Sequence, residues 1–156
     1  MKISLSTLCL AAALSVAALL SGCSQGKQPT SFDISQGVNV GNWLSQSWIM
    51  DARRDAIFTE EDIDLLVTNG FDHIRLPVDE AQLFNEDMTL NEGTVALIHK
   101  TIRSCMDKGL KVIFDLHILR SFHFLDNDAP LWHSTAEQDK LVDMWRTIQG
   151  FSASIP

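Results

Sequence analysis

Residues 70–78 have the sequence GFDHIRLPV, in which a helix stop is followed at once by an apolar run. Gly70 can end a helix as its C-terminal cap, because glycine adopts left-handed backbone angles without steric cost. Pro77, near the end of the run, is tolerated only at a strand end or a sheet edge. The stretch predicts a helix that ends at Gly70 and a strand over residues 71–78.

On the N-terminal side of this stretch, the sequence predicts one strand and one helix. Residues 37–43, GVNVGNW, are a candidate first strand. Thr59 is placed to cap the following helix, and three acidic residues come next, where the positive end of a helix dipole favours them. They are Glu60, Glu61 and Asp62.

On the C-terminal side, the same alternation continues. A helix is predicted over residues 92–108, ended by Gly109, and a third strand over residues 110–118, LKVIFDLHI. Residues 134–137, STAE, form a capping box that starts a third helix. Its apolar stripe consists of Leu141, Trp145 and Ile148.

Three strand-helix units in succession define the fold class. Strands that alternate with helices pair in parallel through right-handed crossovers, so the class is α/β. Periodicity alone does not distinguish an open doubly wound sheet from a piece of a barrel.

The N-terminus has the features of a secretory signal. Lys2 adds a positive charge, and the apolar run over residues 8–20 is shorter than the ~20 residues that span a bilayer. The run ends in Leu-Ser-Gly-Cys at residues 20–23, which resembles the bacterial lipobox and predicts lipidation of Cys23. The alternative is an ordinary signal peptide with a chance cysteine. We therefore expect an exported chain, anchored by lipid to the bacterial cell envelope at the outer membrane or cell surface.

The predicted organisation has four segments. They are a lipoprotein signal peptide at 1–22, a polar tether at 23–33, a folded domain at 34–150 and an irregular tail at 151–156. The chain after the signal suffices for one domain of ~100 to 150 residues but not for a complete eight-fold barrel of ~250 residues. Cys105 is the one cysteine that would remain free, so no disulfide framework is expected. A net charge of −8 argues against a nucleic-acid partner.

Candidate functional residues lie where the predicted strands end, since α/β proteins place their sites there. Asn42 and Trp43 end strand one and are the candidate substrate-binding residues, Arg75 lies on strand two, and Asp115 and His117 end strand three. Arg75 could orient a carboxylate or polar substrate with its forked donors, or form a structural ion pair. His117 could bind a substrate hydroxyl, ligate a metal, or make only a structural hydrogen bond. Asp115 is expected to hold His117 or nearby backbone in place.

Other candidates are weaker. His123 and His133 could join Asp115 and His117 in a metal site, but their spacing matches no common zinc motif, so no metal is expected. Trp43, Trp48 and Trp132 lie in or beside loops at the strand ends, where aromatic rings could stack on sugars or simply fill a core. The common nucleotide, acyl-transfer and redox motifs are absent from the sequence.

Four of these stretches resemble the opening of glycoside hydrolase family 5, the large cellulase family. They are residues 37–43, 58–62, 70–78 and 112–117, within a similarity that covers about residues 34–149. The resemblance implies that residues 34–150 form the first three strand-helix units of an incomplete (β/α)8 barrel. It also implies retaining hydrolysis of β-linked glucans or mannans, with no cofactor.

The resemblance assigns supporting roles to two residues. Arg75 matches the arginine that hydrogen-bonds the nucleophilic carboxylate and keeps it ionised, and His117 matches the histidine that contacts the sugar being cleaved. The family's acid/base and nucleophile are glutamates at the ends of strands four and seven, the first in an Asn-Glu-Pro motif. Asn85-Glu86 and Asn91-Glu92 are followed by Asp87 and Gly93 and lie between strand two and helix two.

Neither of these two Asn-Glu pairs is therefore the Asn-Glu-Pro motif at a shifted position. We expect the chain as given not to hydrolyse glycans. Two alternatives remain: a lipid-anchored glycan-binding module without chemistry, and a small complete α/β domain with another exported role. A fragment should be partly unfolded or aggregated because its strand edges are open, whereas a small domain should melt cooperatively.

Overall fold

The computed structural model describes residues 32–152, and its compact unit begins at Ile34. The predicted signal peptide at 1–22, Cys23, most of the tether and residues 153–156 lie outside the described residues. The main elements are β1 (Gly37–Asn39), α1 (Glu60–Thr68), β2 (His73–Val78), α2 (Glu80–Leu83), α3 (Glu92–Asp107), β3 (Lys111–Leu116) and α4 (Thr135–Ser152). Short 3-10 turns cover Ala52–Ala56 and Pro130–Trp132.

The three strands form one parallel sheet in the order β1-β2-β3, which confirms the predicted α/β class. Arg75 on the central strand is in register with Asn39 on β1 and with Ile113 on β3. Because side chains alternate along a strand, this register puts Asn39, Arg75 and Asp115 on one face of the sheet.

Pro77 lies inside the central strand rather than at its end, and the direction of its backbone explains why it is tolerated. The Arg75 carbonyl accepts a hydrogen bond from Val40 on the β1 side, whereas the Val78 carbonyl accepts one from His117 on the β3 side. Pro77, two residues after Arg75, therefore turns its nitrogen toward β1, whose strand has already ended at Asn39. No ladder hydrogen bond is lost there.

Helix starts and stops follow local side-chain chemistry. Thr59 and Asp62 form a reciprocal capping box at the start of α1, and Asn91 accepts a hydrogen bond from the Thr94 nitrogen at 2.9 Å to cap α3. Gly70 and Gly109 follow α1 and α3 with φ of 81° and 84°. The predicted cap and both predicted glycine stops are thus confirmed.

The two faces of the sheet differ in polarity. One face is apolar, and its side chains Ile74, Leu76 and Val78 are fully buried in the core. They belong to the same hydrophobic cluster as residues of the helices, such as Ile98 and Met144. The opposite face carries the polar side chains of His73, Arg75, Lys111 and Asp115, which keep partial exposure, together with the apolar Pro77 and Ile113. The candidate site therefore lies on the polar face of the sheet, opposite the hydrophobic layer that the helices cover.

The approach of β1 to β2 depends on Gly37. A Cβ atom added there would lie 2.1 Å from Nε2 of His73, so the imidazole occupies the space that a side chain would need. Only glycine allows this strand to lie beside His73 without a shift.

Two sequence-based boundaries and one side-chain placement are corrected. The first strand ends at Asn39 instead of residue 43, because Asn42 adopts a left-handed φ of 56° and turns the chain away from the sheet. The tail predicted to be irregular from residue 151 continues α4 through Ser152. In the predicted apolar stripe of α4, Ile148 is buried beside Met144, but Trp145 remains partly exposed.

Within residues 32–152, no helix is both long and apolar enough to cross a membrane.

Candidate functional site

Arg75 is the centre of a polar cluster on the open face of the sheet. Its Nη1 donates to Asn39 Oδ1 at 2.6 Å, and its Nη2 donates to Asp115 Oδ2 at 2.5 Å. The three residues come from three adjacent parallel strands, so the guanidinium connects the whole width of the sheet. Both side chains of the ion pair are partly exposed, which leaves them accessible from the open face.

His117 completes the cluster directly after β3. Its Nδ1 lies 3.1 Å from Arg75 Nη2 and 2.9 Å from Asp115 Oδ2. A guanidinium only donates and a carboxylate only accepts, so Nδ1 serves one of these partners at a time. In the neutral ring, an Nδ1 that accepts from Arg75 leaves the proton on Nε2. Nε2 is then a donor suited to a hydroxyl oxygen.

A second histidine on the same face has a structural partner. His73 Nδ1 lies 2.6 Å from Asp72 Oδ1, and the Asp72 carboxylate accepts hydrogen bonds from the Ser35 and Gln36 nitrogens. The hydrogen bond with His73, and those from the backbone, hold the pKa of Asp72 below its usual value despite some desolvation. This group fixes the start of β1 against β2.

Aromatic residues in the loop after β3 approach His117. The Phe124 ring centroid lies 6.4 Å from that of His117, and Phe124 stacks on His123 with centroids 4.3 Å apart. Phe124 is exposed, so its ring is available to a ligand at the strand end. Sequence reasoning missed Phe124; the aromatic run Phe-His-Phe at residues 122–124 was the signal that could have found it.

A buried carboxylate lies behind the site, and sequence reasoning missed it as well. Glu80 is fully buried and pairs with Arg120 at 2.7 Å and with Lys140 at 2.8 Å. It also accepts from the Arg120 backbone nitrogen. Burial alone would raise the pKa of Glu80, but these hydrogen bonds outweigh it and hold the pKa below its ordinary value. Glu80, at the start of α2, thereby ties the loop after β3 to α2 and α4.

The prediction that Trp43 contacts substrate is corrected. Its side chain has 0% exposure, its Nε1 donates to the Arg54 carbonyl at 2.8 Å, and its ring packs 5.5 Å from that of Phe58. A ring enclosed in this way belongs to the core and has no free face for a sugar. Trp48, by contrast, is 99% exposed, and Trp132 is exposed while packing edge-on against Phe122.

Asn42, His123 and His133 lie outside the cluster formed by Asn39, Arg75, Asp115 and His117. Asn42 is exposed in the turn after β1, and its role as a substrate ligand stays a prediction. His133 pairs with Asp128, while His123 stacks on Phe124. Across residues 32–152, no group of three or more His, Cys, Asp or Glu side chains is arranged to hold a metal ion.

The geometry defines the class of protein. Helices cover one face of a parallel sheet, and an arginine, an aspartate and a histidine meet at the carboxyl edge of its strands. This is the arrangement of (β/α) barrel enzymes, whose sites form at that edge.

The comparisons with known proteins give the family. The family model for cellulase, glycosyl hydrolase family 5, matches residues 25–150, and the chain belongs to this family. It is 32% identical over 117 residues to cellodextrinase A of Ruminococcus flavefaciens, covering 74% of this chain and 35% of the relative. It is 30% identical over 114 residues to endoglucanase C of Acetivibrio thermocellus, covering 70% of this chain and 33% of the relative. The chain thus spans about a third of the length of these relatives.

Solved structures support the barrel assignment. A glycoside hydrolase family 5 enzyme from Prevotella bryantii B14 superposes with a TM-score of 0.59 at 20% identity, over 77% of this chain and 38% of that one. A trimodular endoglucanase of subfamily GH5_4 gives a TM-score of 0.59 at 25% identity, over 74% of this chain and 22% of that one. The predicted fold class, an incomplete set of barrel units, is confirmed.

Proposed function

We propose that this chain supplies one wall of the substrate site of a retaining glycoside hydrolase that acts on β-linked glucans in polysaccharide breakdown. The observation that carries the proposal is the cluster in which Arg75 bridges Asn39 and Asp115 and meets His117. The activities named for the two relatives, a cellodextrinase and an endoglucanase, support β-glucan as the substrate class. Mannan is the other substrate that the sequence resemblance implies.

The cluster suits supporting roles in this chemistry. In retaining hydrolysis, one carboxyl acts as acid and then base, and a second, ~5 to 5.5 Å away, attacks the anomeric carbon. Arg75 has five N–H donors, and the three contacts described above use at most three of them. A spare donor can bind an attacking carboxylate and favour its ionised form. His117 can then contact a hydroxyl of the sugar.

We also propose that residues 1–156 alone do not hydrolyse glycans, because neither Asn-Glu pair of the sequence is followed by the proline of the family's Asn-Glu-Pro motif. The purified chain should release no reducing sugar from carboxymethylcellulose or mannan and no chromophore from an aryl β-glucoside. Turnover of any of these substrates, in a preparation free of host glycosidases, would contradict this part of the proposal.

Binding tests the roles of Arg75 and His117 directly. Titration calorimetry of the 156-residue chain with cellotetraose should show binding that R75K and H117A each weaken by about tenfold, the loss of ~1.4 kcal/mol of interaction. Matched controls are R146K and H133A, since Arg146 and His133 are exposed residues that pair with Asp143 and Asp128. If R75K and H117A bind cellotetraose with the same affinity as the controls R146K and H133A, the proposed roles of Arg75 and His117 are wrong.

Export and lipid anchoring form a separate part of the proposal, which rests on the sequence at residues 20–23. Expressed in a bacterial host with metabolically labelled fatty acid, the chain should incorporate label and partition into detergent. C23S should abolish both. Labelling that persists in C23S would exclude Cys23 as the anchor.

A lipid-anchored glycan-binding module is the second candidate, favoured by the exposure of Trp48 and Phe124 near the strand ends. Sequencing the DNA downstream of the codon for Pro156 separates the two. An open frame that encodes Asn-Glu-Pro supports the hydrolase, whereas its absence together with glycan binding supports the module.

A further inference from the structure

The chain leaves the sheet directly after His117, where both of the longer strands have ended. β2 ends at Val78 and β3 at Leu116, and the His117 nitrogen still donates to the Val78 carbonyl at 2.9 Å. Leu119 and Phe122 then pair with each other, nitrogen to carbonyl, at 3.0 and 3.1 Å. This pairing is local to residues 118–124, so it does not fix their position relative to the sheet.

Glu80 connects residues 118–124 to the fold through its backbone and its side chain together. Its backbone nitrogen donates to the Ile118 carbonyl at 2.8 Å. Its carboxylate accepts from the Arg120 backbone nitrogen at 2.8 Å and from Arg120 Nη1 at 2.7 Å. One residue thus pairs with a carbonyl and an N–H group two positions apart, as a neighbouring strand would. Glu80 therefore takes the place of a ladder partner beyond the end of β2.

The Glu80 carboxylate is itself held from several sides. Its side chain has 0% exposure, and Lys140 on α4 pairs with Oε1 at 2.8 Å. Arg120 Nη2 also donates to the Phe84 carbonyl, at the end of α2, at 2.9 Å. These contacts restrict the carboxylate to one position, and the backbone at residues 118–120 is restricted with it.

A charge at position 80 is better explained by geometry than by stability. A buried carboxylate loses its hydration, and replacing a buried ion pair by well-packed apolar side chains is often neutral or stabilising. An apolar side chain could fill the same space, but it could not accept a hydrogen bond from the Arg120 N–H. The carboxylate therefore contributes a fixed direction for the chain after His117.

The segment that Glu80 holds ends beside the candidate site. Phe124 lies 6.4 Å from His117, measured between ring centroids, and its other neighbour is His123, with centroids 4.3 Å apart. His117 is attached to β2 through its own backbone nitrogen. A shift of residues 118–120 would therefore move Phe124 relative to His117 and change the shape of the site.

We propose that Glu80 is a positioning residue for ligand binding, which contacts no sugar itself and acts by keeping Phe124 beside His117. The ligand class rests on the proposed function, while the positioning rests on the contacts of Glu80. A segment that is held in its binding arrangement before the ligand arrives need not be ordered on binding, so the affinity is higher.

The first measurement is made without ligand, on the 156-residue chain. E80Q keeps the shape of the side chain, but the amide nitrogen only donates and cannot accept from Arg120. The nuclear Overhauser effect between the rings of Phe124 and His117 should be present in the wild type and lost in E80Q. I63V, which shortens a buried side chain of α1, is the matched control and should keep it.

The second measurement is the affinity for cellotetraose by titration calorimetry, at a temperature where urea titration shows each protein to be folded. E80Q should weaken binding about tenfold, or ~1.4 kcal/mol, whereas I63V should bind as the wild type does. If E80Q does not fold, K140M replaces it, because Lys140 lies on α4 and pairs with Glu80. K140M should change both measurements in the same direction but by less.

The outcomes separate this inference from the proposed function. If H117A weakens binding while folded E80Q binds as the wild type does, the positioning role is wrong and the proposed function stands, whether or not the ring contact is lost. Weaker binding by E80Q with the ring contact intact would also overturn the positioning role. If the wild type binds no cellotetraose, the proposed function fails, and the role of Glu80 in binding fails with it.

Discussion

At the scale of single residues, Arg75 and Glu80 place charges on this fold in two different ways. Arg75 lies on the open face of the sheet, where solvent and neighbouring polar groups stabilise it, and it keeps donors for a ligand. Glu80 is fully buried, and its charge is balanced by Arg120 and Lys140. The first arrangement suits binding, whereas the second holds loops in position.

The buried cluster gives a prediction for stability. E80A leaves the partly exposed charges of Arg120 and Lys140 without this carboxylate, so we expect the free energy of unfolding to fall by about 1 to 3 kcal/mol, the cost of leaving hydrogen-bonding groups without a partner. Urea titration followed by tryptophan fluorescence measures this change. E86A, at an exposed acidic position, should change it by less than about 0.5 kcal/mol. Equal effects of the two substitutions would contradict the role of Glu80.

The same carboxylate predicts a dependence on pH. Its folded pKa lies below its ordinary value of 4.5, so its stabilising contribution is complete above pH 4.5 and is lost as the pH falls through the folded pKa. The unfolding free energy of the wild type should therefore decrease more steeply below pH 4.5 than that of E80Q. Parallel pH profiles for the two proteins would show that Glu80 contributes nothing to the acid dependence.

Cys105 gives a third prediction at this scale. Burial, with a smaller effect from the negative charge of Glu60, raises the pKa of this thiol to about 11. At pH 8 it is protonated and enclosed in the core, so it should react with a disulfide reagent only after unfolding. A C9S/C23S variant isolates this thiol; equally fast reaction with and without urea would show that Cys105 is accessible.

At the scale of elements, β1 is the least independent part of the sheet. It has three residues, and its position beside β2 requires that Gly37 leave room for the imidazole of His73. The long helices α1 and α3, by contrast, carry their own caps and glycine stops. This difference explains why the helix starts were predicted correctly and the extent of strand one was not.

A pair of glycine substitutions tests this dependence. G37A should destabilise the protein, because the added methyl group would overlap the His73 ring and displace β1. G150A, within α4 where an added Cβ meets nothing within 4 Å, should instead stabilise by about 0.5 to 1 kcal/mol. Urea titration measures both changes. A neutral G37A would mean that His73 can move away without cost.

At the scale of the whole molecule, each outer strand of the described sheet is hydrogen-bonded to one neighbouring strand. β1 and β3 pair only with β2 among residues 32–152, and the polar face that carries Arg75 is open. Unpaired strand edges are templates for pairing with another chain.

We therefore expect the isolated 156-residue chain to self-associate as its concentration rises. Light scattering coupled to size exclusion should give a mass that increases with loading concentration, and dilution should restore the monomer. A constant monomeric mass, together with a single cooperative melt, would instead indicate a self-sufficient small domain.

The sequence by itself determined the order of the three strands and of the helices α1, α3 and α4, and the parallel arrangement of the strands. It also determined where α1 starts and where α1 and α3 stop, because these depend on local signals at Thr59, Gly70 and Gly109. It also predicted that Arg75, Asp115 and His117 lie at one edge of the sheet, because side chains alternate along parallel strands and this alternation decides which of them share a face. Tertiary structure alone decided that Trp43 is buried while Trp48 is exposed, because burial depends on which distant segments pack against a ring. It likewise paired Glu80 with Arg120 and Lys140, residues far apart in the chain that only the packed fold brings together.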